Sequence, residues 1–200
     1  MKEEKKIDPK QILKRQRIKM YFLDAAKEMI INEGVESVSV RKIADVAGYS
    51  YATLYNYFQD LNELLWCLKQ DMINDLVELL QKKMSDVSLD SDGIKRLFNI
   101  YISYYIENPN VFKFFYFHNL AKPNRKLEDI GIEPDFNVMM KETFRNFVLE
   151  EKLREIDIEV VGKTCIFTVH GMLTLFLSGN GELTEESLNN ELDKIIDYLL

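Results

Sequence analysis

The stretch "VRKIADVAGYSYATLYNYF", residues 40–58, decides the fold of the N-terminal part of this 200-residue chain. Ser39 stands directly before it and is placed to cap a short helix over 40–47. Gly48 ends that helix, because the turn requires a residue that tolerates a positive φ. Ser50 is placed to cap the next helix. Two short helices around a tight turn containing glycine form the helix-turn-helix pattern, whose second helix usually enters the major groove of DNA.

The spacing of side chains in this stretch separates an inward face from an outward one. Leu54 and Phe58, four residues apart, are predicted to point to the core. Tyr49 is expected to pack between the helices. The remaining positions of the second helix are predicted to face outward: Tyr51, Ala52, Tyr55 and Asn56.

A longer helix is predicted upstream, from Pro9 to Asn32, because no further Gly or Pro interrupts it. Asp8 is placed as its N-cap and Gly34 as its stop. One face of it is apolar, and its start is crowded with basic residues that either face solvent or face phosphates. The apolar face comprises Ile18, Phe22, Ala25 and Met29, and the basic residues are Lys10, Lys14, Arg15, Arg17 and Lys19.

Six further helices are predicted downstream, so that the fold class is all-α with about nine helices. Strand-like alternation and internal repeats are not evident in the sequence. Asp60 and Thr184 are placed as caps of the fourth and ninth helices. The predicted ranges are 61–84, 92–107, 109–121, 135–152, 157–178 and a last helix from 185, with a loop over 122–134.

Composition limits the kind of protein that the chain can be. It is 46% apolar, which suffices for a core, and it carries a net charge of −7. The negative charge lies in the later part, since residues 1–60 sum to +2 and residues 61–200 to −9. Two distant cysteines, Cys67 and Cys165, fit a reducing compartment. The N-terminus lacks an apolar signal segment and the run 165–177 is short for a membrane span, so a cytoplasmic protein is expected.

Helix one together with residues 37–65 resembles the N-terminal DNA-binding domain of the TetR family of transcriptional regulators. The resemblance rests on the helix ending at Gly34, on "IADVAGYS" at 43–50, and on "TLYNYF" at 53–58 running into a Leu-rich helix. It implies a DNA-binding domain over 1–60 and an effector-binding and dimerisation domain over 61–200.

The resemblance also implies which residues contact DNA. Arg41 stands where family members reach a base edge, and the guanidinium fork suits guanine. Gln59, Asp60 and Leu61 stand where many members carry lysine, so the salt dependence of binding is expected to be shallow. The candidate DNA-binding residues are Arg41, Lys42, Ser50, Tyr51, Ala52, Thr53, Tyr55, Asn56 and Tyr57.

The family dimerises through its last two long helices. The sequence is compatible with this, because apolar residues there repeat at coiled-coil-like spacings. The alternative is that these residues form a seam inside one chain. The candidates for the dimer interface are Val161, Cys165, Thr168, Met172, Leu188, Leu192, Ile195 and Leu199.

The family holds a small, often apolar effector among its middle helices. Aromatic and Met side chains are abundant there and suit irregular ligands, although the same side chains could simply fill a core. The candidates for the effector pocket are Tyr101, Tyr104, Tyr105, Phe112, Phe115, Tyr116, Met140, Phe144, Phe147, Phe167 and His170.

The sequence therefore predicts a homodimeric, ligand-responsive repressor of a palindromic operator. The alternatives are a DNA-binding protein without an effector and, less favoured, a protein-interaction module that uses Tyr51 and Tyr55. An enzyme, a cofactor and a metal site are not expected, because Gly-rich phosphate loops, paired-His spacings and catalytic triads are missing from the sequence.

Overall fold

The computed structural model describes residues 9–88, 90–123, 136–150, 152–180 and 182–200. These residues form helices and connecting turns and contain no strand. Single turns of 3-10 helix lie at Val35–Ser37 and Glu155–Asp157. The α-helices are α1 (Pro9–Glu33), α2 (Val40–Val46), α3 (Tyr51–Leu54), α4 (Leu61–Met84), α5 (Ser91–Glu107), α6 (Pro109–Tyr116), α7 (Phe136–Leu149), α8 (Ile158–Ser178) and α9 (Glu185–Leu199).

The predicted all-α fold is confirmed, and most predicted helix boundaries agree with the structure to within two residues. The side chain of Thr184 caps α9, and Asp60 Oδ1 accepts a hydrogen bond from Glu63 N at 2.8 Å at the start of α4. Asp8 and most of the predicted loop 122–134 lie outside the described residues.

Helix α6 is shorter than predicted, because it ends at Tyr116 rather than near Ala121. The backbone N–H groups of Phe117 and His118 both donate to the carbonyl of Lys113, which closes the last turn. Beyond it, Asn62 forms two hydrogen bonds with the backbone of Ala121, at 2.8 and 3.1 Å. These bonds hold residue 121 outside any helix.

The described residues divide into two compact units, and the first comprises 9–72 and 110–123. This unit therefore extends beyond residue 60. Residues 110–123 belong to it through side-chain bonds to helix ends: Asn110 donates to the carbonyl of Ile31 at 3.0 Å, and Lys69 Nζ donates to the carbonyl of Phe115 at 2.6 Å. Its core contains Phe22, Ala26, Ile30, Ile43, Leu54, Phe58, Leu64, Leu68, Phe112 and Phe114.

The second unit comprises residues 73–109 and the described residues from 136 to 200. Helices α5, α7, α8 and α9 pack around one apolar core. The buried side chains include Ile94, Phe98, Ile102, Tyr105, Phe144, Phe147, Cys165, Val169, Leu173, Leu188, Leu192 and Ile196.

Helix α8 and the turn before it form a long apolar segment. Over Glu155–Ser178, 24 residues, it is long and apolar enough to cross a membrane by length and composition, which the shorter run 165–177 is not. Only 28% of its apolar window is buried within the chain. The outward side of α8 is therefore an uncovered apolar surface. A second protein chain would remove it from water as well as lipid would.

Candidate nucleic-acid interface

Two serine caps and one glycine set the geometry of the turn between α2 and α3. Ser39 accepts a hydrogen bond from Lys42 N, and Ser50 accepts one from Thr53 N at 3.2 Å. Gly48 adopts φ +76°, the left-handed conformation that the sequence predicts. Regular α-helix in α3 spans only Tyr51–Leu54, and irregular turns follow it.

The turn is fixed to α1 by aromatic packing. The ring of Tyr49 lies 5.4 Å from that of Phe22 and stacks on Tyr21 at 6.3 Å. Leu54 and Phe58 are buried. The predicted packing of these three residues is thereby confirmed, and it leaves the other side of α3 free to face outward.

The outward side of α2 and α3 carries aromatic rings and one guanidinium group. Tyr51 and Tyr55 are 55% and 51% exposed. The guanidinium of Arg41 lies 6.0 Å from the centre of the Tyr51 ring. Ala52 and Asn56 are also exposed. We call Arg41, Tyr51, Ala52, Tyr55 and Asn56 the recognition face.

The other predicted DNA-binding residues have partners within the domain. Lys42 Nζ donates to the carbonyl of Ser37 at 3.1 Å. The hydroxyls of Ser50 and Thr53 share a hydrogen bond of 2.8 Å. The Tyr57 ring lies 5.8 Å from that of Phe22. Of these four residues, Lys42 and Ser50 are exposed, whereas Thr53 and Tyr57 are half-buried.

Arg15 is a neighbour of the recognition face that the sequence did not single out from the other basic residues of α1. Its guanidinium donates to the carbonyl of Asn56 at 2.7 Å and lies 5.0 Å from the centre of the Tyr57 ring. It thus brings a positive charge to the C-terminal end of α3, where lysines are missing from the chain. Arg15 and Asn56 are 41 residues apart in the sequence, so helix periodicity alone does not predict their contact.

The predicted effector-pocket residues divide between the two units. In the first unit, Phe112 and Phe115 are buried and Tyr116 is exposed. In the second, Phe144 and Phe147 are buried in the core, whereas Phe167 is 67% exposed and points out of it. The side chain of Met140 lies outside the described set.

Tyr101, Tyr104, Tyr105 and His170 form the polar part of the second core. Tyr101 Oη and His170 Nε2 are 2.8 Å apart and hydrogen-bonded. The rings of Tyr101 and Tyr104 each meet Tyr105 edge-on, at 4.9 and 5.1 Å. Burial lowers the pKa of His170 to about 4, so the imidazole is neutral at pH 7. Burial, with a smaller contribution from Asp75, raises the pKa of Tyr104.

Four of the eight residues expected at the dimer interface are core residues of a single chain. Val161, Cys165, Leu188 and Leu192 have exposures of 7% or less and are unavailable to a partner. Their spacing reflects the packing of α8, α9 and α5 against one another, which is the intrachain alternative. Thr168, Met172, Ile195 and Leu199 are half-buried.

An adjacent face of α8 is exposed, and the sequence did not assign it to the dimer interface. Along it lie Val160 (65% exposed), Thr164, Phe167, Gly171 and Leu175 (50%). They follow one another at spacings of 3 or 4 residues, as one side of a helix does. We call these five residues the α8 outer face.

Within the described residues, no group of His, Cys, Asp and Glu is arranged to hold a metal ion.

The geometry of the first unit, with two capped short helices, a tight turn and an exposed second helix, defines a helix-turn-helix protein. Residues 22–65 match the model of the bacterial regulatory proteins of the tetR family. An HTH-type transcriptional regulator of Staphylococcus aureus is 27% identical over 113 residues, which cover 56% of each protein. Residues 22–65 therefore resemble the DNA-binding domain of tetR-family regulators, and the chain aligns with about half the length of this curated relative.

Solved structures share the fold over most of the chain. The regulator RolR in complex with resorcinol has a TM-score of 0.68 at 14% identity, covering 94% of this chain and 89% of RolR. FadR of Bacillus subtilis in complex with stearoyl-CoA has a TM-score of 0.67 at 16% identity, covering 90% of this chain and 98% of FadR. FadR of Thermus thermophilus in complex with lauroyl-CoA has a TM-score of 0.63 at 16% identity, covering 90% and 92%.

Proposed function

We propose that this chain is a cytoplasmic, homodimeric transcriptional repressor that binds a palindromic operator and releases it when a small molecule binds. The recognition face carries the proposal. Two tyrosines that are half exposed and one arginine stand together on a rigid turn, in a chain that resembles a family of transcriptional regulators rather than enzymes. Arg41 suits guanine, and the tyrosine rings suit apolar contacts and hydroxyl bonds in the groove.

The acidic charge of the chain does not oppose DNA binding, because it is unevenly distributed. Residues 61–200 carry the negative excess, whereas Arg15, Arg41 and Lys42 lie on or beside the recognition surface. A basic DNA-binding surface on an otherwise acidic protein orients that surface toward the phosphates of DNA. The small number of basic side chains supports a shallow salt dependence of operator binding.

The proposed symmetry of the operator and the α8 outer face both support a homodimer. Two half-sites one helical turn apart, ~34–36 Å, require two recognition faces held by one interface. The α8 outer face supplies apolar surface for that interface, and Ile156 (79% exposed) and Tyr198 (90% exposed) extend the exposed apolar surface of the same unit. Burying such rings between two copies is favourable, by about 25 cal/mol for each Å² of apolar surface.

An effector would act by favouring one of two conformations of the dimer. Helix α4 contributes residues to both units, and the chain returns to the first unit at residue 110. The bonds of Lys69 and Asn62 join these two segments within the first unit, and Asn110 donates to the carbonyl of Ile31 in α1. A ligand that shifts α4 or α6 would therefore change the placement of the recognition faces.

One observation favours the second candidate, a DNA-binding protein without an effector. Phe112, Phe144 and Phe147 are fully or almost fully buried, as side chains that fill a core are. The ligands named for the RolR and FadR structures favour the first candidate, since both proteins share the fold.

Selection of bound fragments from genomic DNA tests the proposal. The purified protein is expected to enrich a near-palindromic sequence at low and moderate salt. The double variant Arg41→Ala, Tyr55→Ala is expected to lose it, whereas Arg154→Ala, an exposed arginine of the second unit, keeps it. Failure of the wild-type protein to enrich any sequence would contradict the proposal and favour a protein-interaction module.

A further inference from the structure

The C-terminal end of α3 depends on other helices for its position. Regular α-helix ends at Leu54. Beyond it, the backbone N–H groups of Asn56 and Tyr57 donate to carbonyls only three residues back, at 3.0 and 2.9 Å. A helix end of this kind leaves carbonyl groups without a partner in their own helix. Tyr55 and Asn56, the last two residues of the recognition face, therefore lie on backbone that α3 alone does not fix.

Arg15 of α1 supplies the missing donor. Its Nη2 donates to the carbonyl of Asn56 at 2.7 Å. The same guanidinium lies 5.0 Å from the centre of the Tyr57 ring, an arrangement in which a cation is attracted to the face of a ring, and that ring also lies 5.8 Å from Phe22. Two successive residues at the end of α3 are thus tied to one side chain of α1.

Glu63 of α4 holds the chain slightly further on. Its carboxylate accepts a hydrogen bond from the backbone N–H of Gln59 at 2.7 Å, and its side chain is buried. Its own N–H donates to Asp60 at 2.8 Å, so these bonds define the start of α4. The Glu63 contact fixes residue 59, after the recognition face, whereas the Arg15 contact fixes Asn56 within it.

The alternative role for Arg15 is a charge that attracts DNA phosphates, because its side chain is exposed. The geometry favours positioning, since the guanidinium is already bound to a carbonyl of its own domain at 2.7 Å. Hydrogen bonds from charged donors are among the strong ones. Phosphate contacts hold a protein on DNA without reading its sequence, whereas the orientation of Tyr55 and Asn56 affects contacts with base edges. The two roles therefore predict different losses.

We propose that Arg15 is a positioning residue for sequence recognition, which holds the end of α3 so that Tyr55 and Asn56 face the bases together with Arg41. This inference rests on the proposed binding of an operator by the recognition face. Without the Arg15 side chain, the backbone of Asn56 loses its bond to α1, and the recognition face presents a less defined surface. Discrimination between the operator and other DNA then decreases, whereas phosphate contacts made elsewhere stay.

Fluorescence anisotropy of the full chain tests this role with two labelled duplexes, one carrying the selected operator and one a scrambled sequence of equal composition. Arg15→Ala is expected to lower the ratio of the two affinities by roughly tenfold, because a hydrogen bond from a charged group contributes about that much. The slope of log affinity against log salt concentration should stay as in the wild type. Arg17→Ala, the matched control, removes an equal charge from an exposed residue on another side of α1 and should keep the ratio.

Two other roles of Arg15 give different results in the same experiment. A phosphate contact would leave the ratio unchanged in Arg15→Ala and reduce the salt slope by about 0.9. A purely structural role would lower the folded fraction, so both affinities would fall together and the ratio would again stay. Either result, or unchanged affinity for both duplexes, would overturn the proposal.

Amide hydrogen exchange of the free protein separates this inference from operator binding. In Arg15→Ala, the N–H groups of Tyr57 and Phe58, which both donate to Leu54, should exchange roughly tenfold faster, whereas that of Ile43 in α2 should not change. If the wild type selects no operator, the proposed function fails, and exchange still decides whether Arg15 holds the end of α3. An operator bound by the wild type, with unchanged exchange at Tyr57 and Phe58 in Arg15→Ala, would overturn this inference alone.

Discussion

At the scale of single residues, Gly48 determines how α2 passes into α3. Its φ of +76° is costly for a residue with a Cβ, although no atom lies within 4 Å of where that Cβ would stand. The cost at this position is therefore conformational and not steric.

We expect Gly48→Ala to lower the free energy of unfolding by about 1–2 kcal/mol, the usual cost of the left-handed conformation. Gly48→Asn is the matched variant, since Asn adopts this conformation more readily, and should lose less. Urea denaturation measures both. Equal losses in the two variants would contradict a cost that comes from φ.

His170 makes the stability of the fold depend on pH. Its pKa is lowered to about 4 in the folded chain, below the usual value of 6.5. Above pH 6.5 both states are neutral and the fold keeps its full stability. As pH falls from 6.5 toward 4, only the unfolded state gains the proton, so the free energy of unfolding decreases, by at most about 1.4 kcal/mol per pH unit.

The variant His170→Gln isolates this effect, since Gln can still bond to Tyr101 and does not titrate. Denaturation between pH 5 and 7 should show a smaller decrease in the variant than in the wild type, with His118 present in both. Identical pH profiles would mean that His170 is solvated like a free imidazole.

Residue patterns predict local contacts well and distant ones poorly. Turn chemistry and helical spacing predict the positions of Ser50, Gly48, Leu54 and Tyr49, and the structure confirms these predictions. The position of Arg15 depends on how α1 crosses α3, which no local rule fixes.

At the scale of elements, α9 begins with a reciprocal capping box. Thr184 Oγ1 accepts from Ser187 N at 3.1 Å, and Ser187 Oγ accepts from Thr184 N at 2.8 Å. We expect Thr184→Ala to cost about 1 kcal/mol of stability, the usual value of a lost N-cap. Thr184→Ser keeps the hydroxyl and should cost a few tenths at most. Thermal denaturation compares the two, and equal melting temperatures would contradict a capping role.

Two predictions at this scale depend on contacts that are distant in sequence. Asn62, 59 residues away, holds Ala121 outside the predicted end of α6, and half of the predicted seam residues of α8 and α9 are buried in the core that α5 shares. Periodicity identifies an apolar face, but it does not say whether the same chain or another copy covers it. On α8, the exposures identify the uncovered side.

At the scale of the whole molecule, the α8 outer face predicts self-association. Phe167→Asp places a charge at its centre and is expected to yield monomers in sedimentation velocity at concentrations where the wild type is dimeric. Lys163→Gln, on the neighbouring exposed side of α8, is the control and should remain dimeric. A wild-type protein that sediments as a monomer would contradict the proposed interface.

The central claim is that two recognition faces read one site, and hydroxyl-radical footprinting of a selected fragment tests it most directly. We predict two protected patches whose centres lie one helical turn apart, ~34–36 Å, and the weakening of both together in Phe167→Asp. A single protected patch, or two patches that persist in a monomeric variant, would contradict the account.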